Sequence, residues 1–520
     1  MSLANAQRGF AVATEAFAAL ALFGCAAHAS HASAPTSASA RPGATAALAA
    51  PAPADPLATP PPAAALPDIA FPPIRHAVLD DGMELRVVTR KDLPIVELRL
   101  VVFSGAAADG VQPGLSALTG ELLKEGGAGP YSAEQLAERA ESLGAHIDVS
   151  TGRDATSIGL GVTSADLEGA LGLLADVALK PRFSPVEFAK LKQREIERVK
   201  NSARGNADWA ASMVLYRRLF AVPSGIHPYA HYDATASELE DIGLADCQAW
   251  YRRYFTPPNA VLVVAGNVDP FLVEQAANHA FAAWRGTRPA PLAYPAPARP
   301  LAPAVWLVDR PHSGQSEIYV ATLGPERSSP SWPALAASNQ ILGGGVASRL
   351  FLDVREKRSL AYHTASNAEE PAHGPVPLVL SAGTQTGKTA SALQALLDNM
   401  HRLAEAPPAP WEVQMATTSL SDELLFRTER LGALAEATAK LALLGLPDDY
   451  FSGFRRDLER LDPGSVFAVA SRYYDAPAPV MVVAGDAAAV AEPLRRFGNV
   501  EIMDADRDFL TVRELPRQEH

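Results

Sequence analysis

Two stretches of this sequence repeat one another: residues 253–267 read RYFTPPNAVLVVAGN, and residues 472–486 read RYYDAPAPVMVVAGD. Each begins with an arginine and two aromatic residues, continues through a proline-containing turn, and ends in an apolar run closed by glycine and a polar residue. This order is typical of a helix end, a turn and a strand buried on both faces. Because the two copies lie about 220 residues apart, they predict two similar units within one chain.

A second pattern recurs in both units. Residues 157–163 have the character of a strand and lead into a helix-period run at 164–179. In the other unit, residues 376–382 lead in the same way into a helical run at 388–403. Each unit therefore combines strands with helices, which predicts an α+β fold.

A proline-rich stretch at 289–303 divides the body of the chain into two parts of nearly equal length. We therefore predict an α+β fold of two homologous domains, 74–288 and 304–516, each a mainly antiparallel sheet with helices packed on it. The stretch between the two domains is expected to be a linker.

The composition limits the classes of function. The 520 residues are 48% hydrophobic and 20% charged, which is enough to bury a large core. The formal net charge is −13, and the short basic clusters are interleaved with acidic residues, so we expect no nucleic-acid partner. The two cysteines, Cys25 and Cys247, exclude a disulfide framework and a zinc site built from thiolates.

The start of the chain predicts export. Within residues 1–25, Arg8 precedes a mostly apolar run that is too short to span a bilayer. This run ends in Leu-Phe-Gly-Cys, which resembles a bacterial lipoprotein cleavage box with Cys25 as the lipid-bearing residue; the alternatives are a cleaved soluble signal or an apolar start without function. Residues 26–73, nearly all Ala, Pro, Ser and Thr, predict a disordered tether. We expect a protein of the cell envelope, either periplasmic or anchored to a membrane.

Four motifs occur in a set order: Phe-Ser-Gly at 103–105, Pro-Gly-Leu at 113–115, Glu-Gly-Gly at 125–127 and SRLFLDVREKRSLAY at 348–362. This order closely resembles the insulinase/pitrilysin-type (inverzincin) metallopeptidase family, including its processing-peptidase and symbiont-type bacterial members. The resemblance covers roughly residues 75–515, and the last motif is its most specific part.

Active members of that family carry H-x-x-E-H on the helix after Pro-Gly-Leu, where two histidines hold Zn²⁺ and the glutamate activates a water molecule. The resemblance places Ala117 and Glu121 at the two ligand positions and Gly120 at the general-base position. Glu195 falls near the distant third ligand, on a charged helical run where we expect it to lie on a solvated face. The resemblance therefore implies a degenerate metal site and no zinc in this chain.

The second unit keeps residues of a different kind. In active family members an arginine and a tyrosine seven residues later reach the substrate carbonyl, and those positions match Arg355 and Tyr362. A guanidinium and a phenol hydroxyl can stabilise the negative charge that develops on the carbonyl oxygen. Alternatively, Arg355 is an ordinary exposed base and Tyr362 a core strand residue. Just before this motif, Gly343, Gly344 and Gly345 predict either substrate contact along a flexible loop or a plain turn.

In two-chain members of the family, one chain supplies H-x-x-E-H and the other supplies the Arg/Tyr pair. The resemblance implies that this chain is of the second kind: inactive alone, without a cofactor of its own, and half of a composite zinc endopeptidase whose zinc lies in the partner and whose substrates are peptides. Whether a homodimer forms instead is open. Two alternatives remain, a scaffold of the same fold without a proteolytic role and an autonomous zinc metallopeptidase.

Two further patterns have weaker functional interpretations. His227 and His231 have the spacing of a helical ligand pair, but His227 precedes a proline, which favours a surface loop. Residues 382–389, AGTQTGKT, fit a phosphate-binding loop only loosely, because Ala382 stands where the pattern requires glycine. The first unit has the same strand-to-helix turn at 162–166 without a lysine, so the repeat accounts for the turn without a nucleotide.

Overall fold

The structure is a computed structural model, and it describes residues 71–298 and 300–518. The predicted export segment, Cys25 and nearly all of the predicted tether lie outside the described residues. Within the described part of the chain, no helix is both long and apolar enough to cross a membrane.

Strands and helices of the first half form one sheet with helices around it. The strands are β1 (Ile74–Val78), β2 (Glu84–Thr89), β3 (Ile95–Val102), β4 (Asp148–Thr151), β5 (Thr156–Thr163) and β6 (Ala260–Gly266). The helices are α1 (Leu115–Glu125), α2 (Ala133–Ser142), α3 (Leu167–Leu179), α4 (Pro185–Gly205), α5 (Ala207–Leu219), α6 (Ala236–Asp241), α7 (Leu244–Tyr254) and α8 (Pro270–Phe281).

The second half forms another sheet and adds a π-helix at Phe351–Lys357. Its strands are β7 (Ala304–Asp309), β8 (Gln315–Glu326), β9 (Ala361–Ala368), β10 (Pro375–Gln385), β11 (Val480–Gly485), β12 (Asn499–Asp504) and β13 (Leu510–Leu515). Its helices are α9 (Trp332–Gly343), α10 (Thr389–Glu405), α11 (Pro410–Glu429), α12 (Leu431–Leu443), α13 (Tyr450–Glu459), α14 (Pro463–Tyr473) and α15 (Ala487–Leu494).

The two sheets share a strand order. The first runs β1-β2-β6-β3-β5-β4, and the second runs β13-β12-β7-β11-β8-β10-β9. The five strands from β2 to β4 in the first order correspond one by one to the five from β7 to β9 in the second. Among the described strands, β2–β6, β12–β7 and β11–β7 are parallel pairs, and the other pairs are antiparallel. The repeated apolar runs form β6 and β11, which are buried along their whole length. The predicted fold class is confirmed.

Each half covers part of the other half's sheet with one of its own helices. Helix α5 of the first half packs against β8 and β11, and α12 of the second half packs against β3 and β6. Val214 on α5 therefore shares a core with Val482 on β11, and Leu434 on α12 shares one with Val263 on β6. Because α5 and α12 each pack on the sheet of the other half, the hydrophobic core is continuous between the two halves.

Polar contacts reinforce the boundary between the halves. The Arg153 guanidinium lies 2.8 Å from the carboxylate of Glu369, and Arg218 lies 3.3 Å from Glu501. Arg90 donates to the backbone carbonyls of Thr428 and Glu429 at 2.9 and 2.6 Å. These contacts fix the described parts of both halves as one packed body.

Candidate functional site

The first candidate site lies on α1, the helix that carries the degenerate metal positions. The backbone N–H groups of Gly114 and Ser116 donate to the Asp109 carboxylate at 3.0 and 2.9 Å, and the Ser116 hydroxyl donates to it at 3.0 Å. Gly114 has φ +88°, and a Cβ there would lie 2.8 Å from the Leu239 side chain. The start of α1 is therefore held by a buried carboxylate and by a glycine that no other residue replaces easily.

Glu121, at one of the two degenerate ligand positions on α1, is paired with an arginine. Glu121 is buried, at 5% exposed, and its Oε2 accepts a hydrogen bond from Arg194 at 2.8 Å. Arg194 also donates to Glu125 at 2.8 Å. Burial, followed by the charge of Glu125, raises the pKa of Glu121 above its ordinary value. Of the other two positions, Ala117 is exposed and Gly120 is buried.

Glu195 lies in a second pairing on the neighbouring helix α4. It is 7% exposed, and its carboxylate accepts a hydrogen bond from Arg198 at 2.6 Å. Arg198 also donates to Asp233 at 2.9 Å, and the indole N–H of Trp209 donates to the same carboxylate at 2.8 Å. The prediction of a solvated face for Glu195 was wrong, because α1 packs over this side of α4. A helical charge pattern does not show which side of a helix a neighbour covers.

These residues do not fit a zinc ion. Zinc in proteins is held by thiolate, imidazole or carboxylate donors, and Ala117 and Gly120 offer none. The carboxylates of Glu121 and Glu195 already face Arg194 and Arg198, whose positive charge opposes a second cation at the same place. In the part of the chain that the structure describes, no three His, Cys, Asp or Glu side chains are grouped to hold a metal.

We predict that grafting the family motif alone restores little zinc binding. A side chain at position 120 would place its Cβ 2.4 Å from Thr151 Oγ1, and loss of Glu121 would remove one of the carboxylates of Arg194. The variant Ala117→His/Gly120→Glu/Glu121→His should therefore bind zinc substoichiometrically in metal analysis. The matched comparison adds Thr151→Ala and Arg194→Gln and should bind more zinc. Stoichiometric zinc in the first variant would contradict this account.

The second candidate site lies at the π-helix of the second half. Its anchor is Asp353, which accepts hydrogen bonds from Asn399, Arg402 and Arg358 at 2.9, 2.9 and 3.1 Å. Although burial acts in the opposite direction, the hydrogen bonds from Asn399 and Arg402 hold the pKa of Asp353 below its ordinary value. π-Helices are rare and occur frequently at functional sites. The helical segment that carries Arg355 is therefore held firmly from α10.

A tight reversal brings β9 back beside the π-helix. Ser359 has φ +50°, and the Leu360 N–H donates to the Val354 carbonyl at 2.9 Å. Lys388 donates to the Ser359 carbonyl at 2.9 Å. Val354 directly precedes Arg355, so the bond to Leu360 places Arg355 and the start of β9 side by side. The lysine of the loose phosphate-loop pattern has a structural partner within the chain, which the sequence pattern did not indicate.

Arg355 and Tyr362 are both about half exposed. The Arg355 side chain is 46% exposed, lies over the Phe351 ring at 4.8 Å and is 3.8 Å from Glu356. Tyr362 is 48% exposed, so the alternative of a core tyrosine was wrong. On β10, Thr384 pairs with Ala361 and Gly383 pairs with His363, which leaves Tyr362 as the extra residue of a β-bulge. Bulges next to functional sites redirect a side chain.

The three glycines before the motif have different surroundings. A Cβ at Gly343 would lie 2.3 Å from the Ser366 nitrogen on β9, and one at Gly344 would lie 2.0 Å from Gln340 Oε1. Gly343 thus permits the end of α9 to pack against the strand that carries Tyr362. Gly345 has open space around it, with Gln340 Nε2 at 3.9 Å. Substrate contact by these glycines stays a prediction.

His227 is not on a surface loop, as its sequence context had suggested. The residue is fully buried and stacks on Phe220 with 4.8 Å between ring centroids. Burial, followed by the charge of Arg153, lowers the pKa of His227 to about 4. The segment from His227 to His231 forms a turn and no helix, so the spacing of the two histidines does not align them on one helical face.

Comparison with known proteins agrees with this architecture. The family model described as "Insulinase (Peptidase family M16)" matches residues 86–217, and "Peptidase M16 inactive domain" matches residues 241–420. A crystal structure of a peptidase M16 inactive domain from Pseudomonas fluorescens is 27% identical, covers 79% of this chain and 98% of its own, and superposes with a TM-score of 0.73. A protease from Helicobacter pylori, 17% identical with a TM-score of 0.71 over 80% of this chain and 100% of its own, shares the fold.

Curated relatives include proteins named uncharacterized zinc proteases. The one from Mycobacterium tuberculosis strain H37Rv is 29% identical over 45% of this chain and 53% of its own length. The one from Streptomyces coelicolor is 30% identical over 37% of this chain and 43% of its own length. The chain spans about half the length of these curated relatives. Together with the two family models and the shared fold, these similarities show that the chain belongs to the insulinase family, peptidase family M16.

Proposed function

We propose that this chain is the metal-free subunit of a two-chain peptidase, in which a homologous H-x-x-E-H chain carries the zinc and this chain supplies Arg355 and Tyr362. The observation that carries the proposal is a contrast between the two candidate sites. At the degenerate metal positions, both carboxylates are buried and paired with arginines. Arg355 on the firmly held π-helix and Tyr362 at the start of β9 are, in contrast, both about half exposed.

The chemistry of amide hydrolysis suits this pair. Attack on a peptide carbonyl develops negative charge on its oxygen, and donors that are already in place stabilise that charge without reorganisation. A guanidinium such as that of Arg355 supplies a fixed positive charge and several N–H donors. Tyr362 would donate its phenol hydrogen to the same oxygen. Zinc in the partner chain would activate the attacking water.

The similarity to a solved domain described as a peptidase M16 inactive domain supports a chain that is inactive by itself. The experiment is to purify the chain alone and together with a co-expressed H-x-x-E-H homologue, and to measure zinc content and peptide cleavage for both. We expect a zinc-free, inactive single chain and an active pair. Activity with stoichiometric zinc in the single chain would overturn the proposal, and a stable pair without any cleavage would favour a scaffold role.

We further propose that the chain is exported and tethered to the cell envelope through lipid on Cys25. Support comes from the apolar start, the cleavage-box residues before Cys25 and the Ala/Pro-rich stretch that follows. In bacterial cells fed a clickable fatty acid, the wild-type protein should become labelled and Cys25→Ser should not. Cys247→Ser is the matched control, because that thiol is buried in the folded protein and should not affect labelling. Equal labelling of wild type and Cys25→Ser would exclude this attachment site.

A further inference from the structure

We infer that His363 is a positioning residue for Tyr362: held by Glu317 across the intervening strand, it fixes the β-bulge from which Tyr362 projects. The inference deepens the proposed function, because it explains how the orientation of one of the two proposed substrate-contacting side chains is maintained. It rests on three strands, β9, β10 and β8, that lie next to one another in the second sheet.

The bulge at Tyr362 lies on an edge strand. Among the described strands, β9 pairs with β10 alone, so its other edge has no backbone partner. The extra residue of a bulge is itself unpaired in the ladder. The direction of the Tyr362 side chain therefore depends on whatever holds the residues on either side of it. Ala361 pairs with Thr384, and His363 pairs with Gly383.

The His363 side chain reaches over β10 to β8. His363 Nε2 lies 3.0 Å from Glu317 Oε1, and Gly383 pairs with both residues, with His363 on one side and Glu317 on the other. The Glu317 side chain is 11% exposed, which makes it a fixed acceptor. The hydrogen bond to Glu317 therefore holds His363, the residue next to Tyr362, against β8.

Gly383 makes this crossing sterically possible. A Cβ at this position would lie 2.3 Å from His363 Cε1, 2.6 Å from His363 Nδ1 and 3.1 Å from Glu317 Oε2. An imidazole could not lie across the strand if any side chain stood there. The three residues thus form one arrangement, in which glycine provides the space, histidine spans it and glutamate holds the ring.

The charges around His363 favour its protonated form. The hydrogen bond that His363 donates to Glu317, together with the negative charges of Glu317 on β8 and Asp208 on α5, raises the pKa of His363 although partial burial of the ring, whose side chain is 58% exposed, acts against it. The charged form makes the stronger bond to a carboxylate. The folded-state pKa of His363 is raised, so the ion pair is present just below this pKa, where Glu317 is still ionised, and is lost as pH rises through it. Tyr362 should therefore be held most firmly on the acidic side of that transition.

The test reads the environment of Tyr362 directly in the full-length chain. With 4-fluorophenylalanine, which has no ionisable group of its own, incorporated at position 362, the ¹⁹F chemical shift should change with pH in a single step above the ordinary histidine pKa. His363→Gln and Glu317→Gln should each abolish that step, and Gly383→Ala should shift the signal at all pH values because it displaces the ring. His401→Gln is the matched control, since His401 forms an exposed pair with Glu405 at 2.9 Å on α10; it should leave the step intact.

A step that persists in both His363→Gln and Glu317→Gln would overturn the inference. A second measurement uses the active pair of chains, in which His363→Gln should lower kcat more than it changes KM and should remove one limb of the pH–rate profile. If the ¹⁹F step depends on His363 but cleavage does not depend on Tyr362, the positioning role stands and the proposed function fails. The two ideas are thereby tested separately.

Discussion

Replacing Arg355 by alanine should lower kcat of the proposed two-chain enzyme by about 10²- to 10³-fold, the usual effect of removing one preorganised donor to a developing oxyanion. Tyr362→Phe should have an effect of similar size, since it removes only the hydroxyl group. KM should change less than kcat, because the charge on the carbonyl oxygen develops mainly in the transition state. Steady-state kinetics with a fluorogenic peptide would measure both constants.

Lys357→Ala is the matched control for Arg355→Ala. Lys357 is an exposed basic residue two positions further along the same π-helix, so this variant removes one positive charge from the same surface. It should leave kcat within about twofold of wild type, as surface substitutions usually have small effects. Comparable losses in the two variants would indicate a general electrostatic effect, and no loss in Arg355→Ala with an intact pair of chains would refute the proposed role.

Separating the two halves after residue 288, where the predicted linker begins, should prevent either half from folding alone. Without α12, the first sheet would expose the surface around Val263, and without α5 the second sheet would expose the surface around Val482. Large apolar surfaces of this kind lead to aggregation. We expect residues 71–288 and 289–520 to be insoluble when expressed singly and to copurify as a folded complex when expressed together. Circular dichroism and size-exclusion chromatography would measure the outcome.

A single substitution tests the same exchange quantitatively. Leu434 on α12 is fully buried against the first sheet, and Leu434→Ala should lower the free energy of unfolding by about 2–5 kcal/mol. Leu510→Ala, at a leucine that is 58% exposed on β13, should change it by less than about 0.5 kcal/mol. Equal effects of the two leucine variants on the free energy of unfolding would show that α12 contributes little to stability. Soluble, folded single halves would show the same for α5 and α12 together.

The sequence by itself determined the repeated architecture. The apolar runs that form β6 and β11 are hydrophobic throughout because both faces of a central strand are buried. A continuous apolar run can be recognised from a few neighbouring residues of the sequence. Local sequence also indicated the charged helical run that forms α4, and the family resemblance that rests on the four ordered motifs is confirmed.

Only the tertiary structure decided which surfaces meet. Periodicity shows that a helix has an apolar face but not that α5 and α12 cover each other's sheets, since either sheet offers a similar surface. Glu195 looked solvated because its burial depends on how α1 packs against α4, whereas its pairing with Arg198 is local to α4. The bulge at Tyr362 and the reach of His363 over Gly383 to Glu317 depend on strand register, which is set by residues far apart in the chain. Contacts of this kind arise from three-dimensional packing, so local sequence patterns do not encode them.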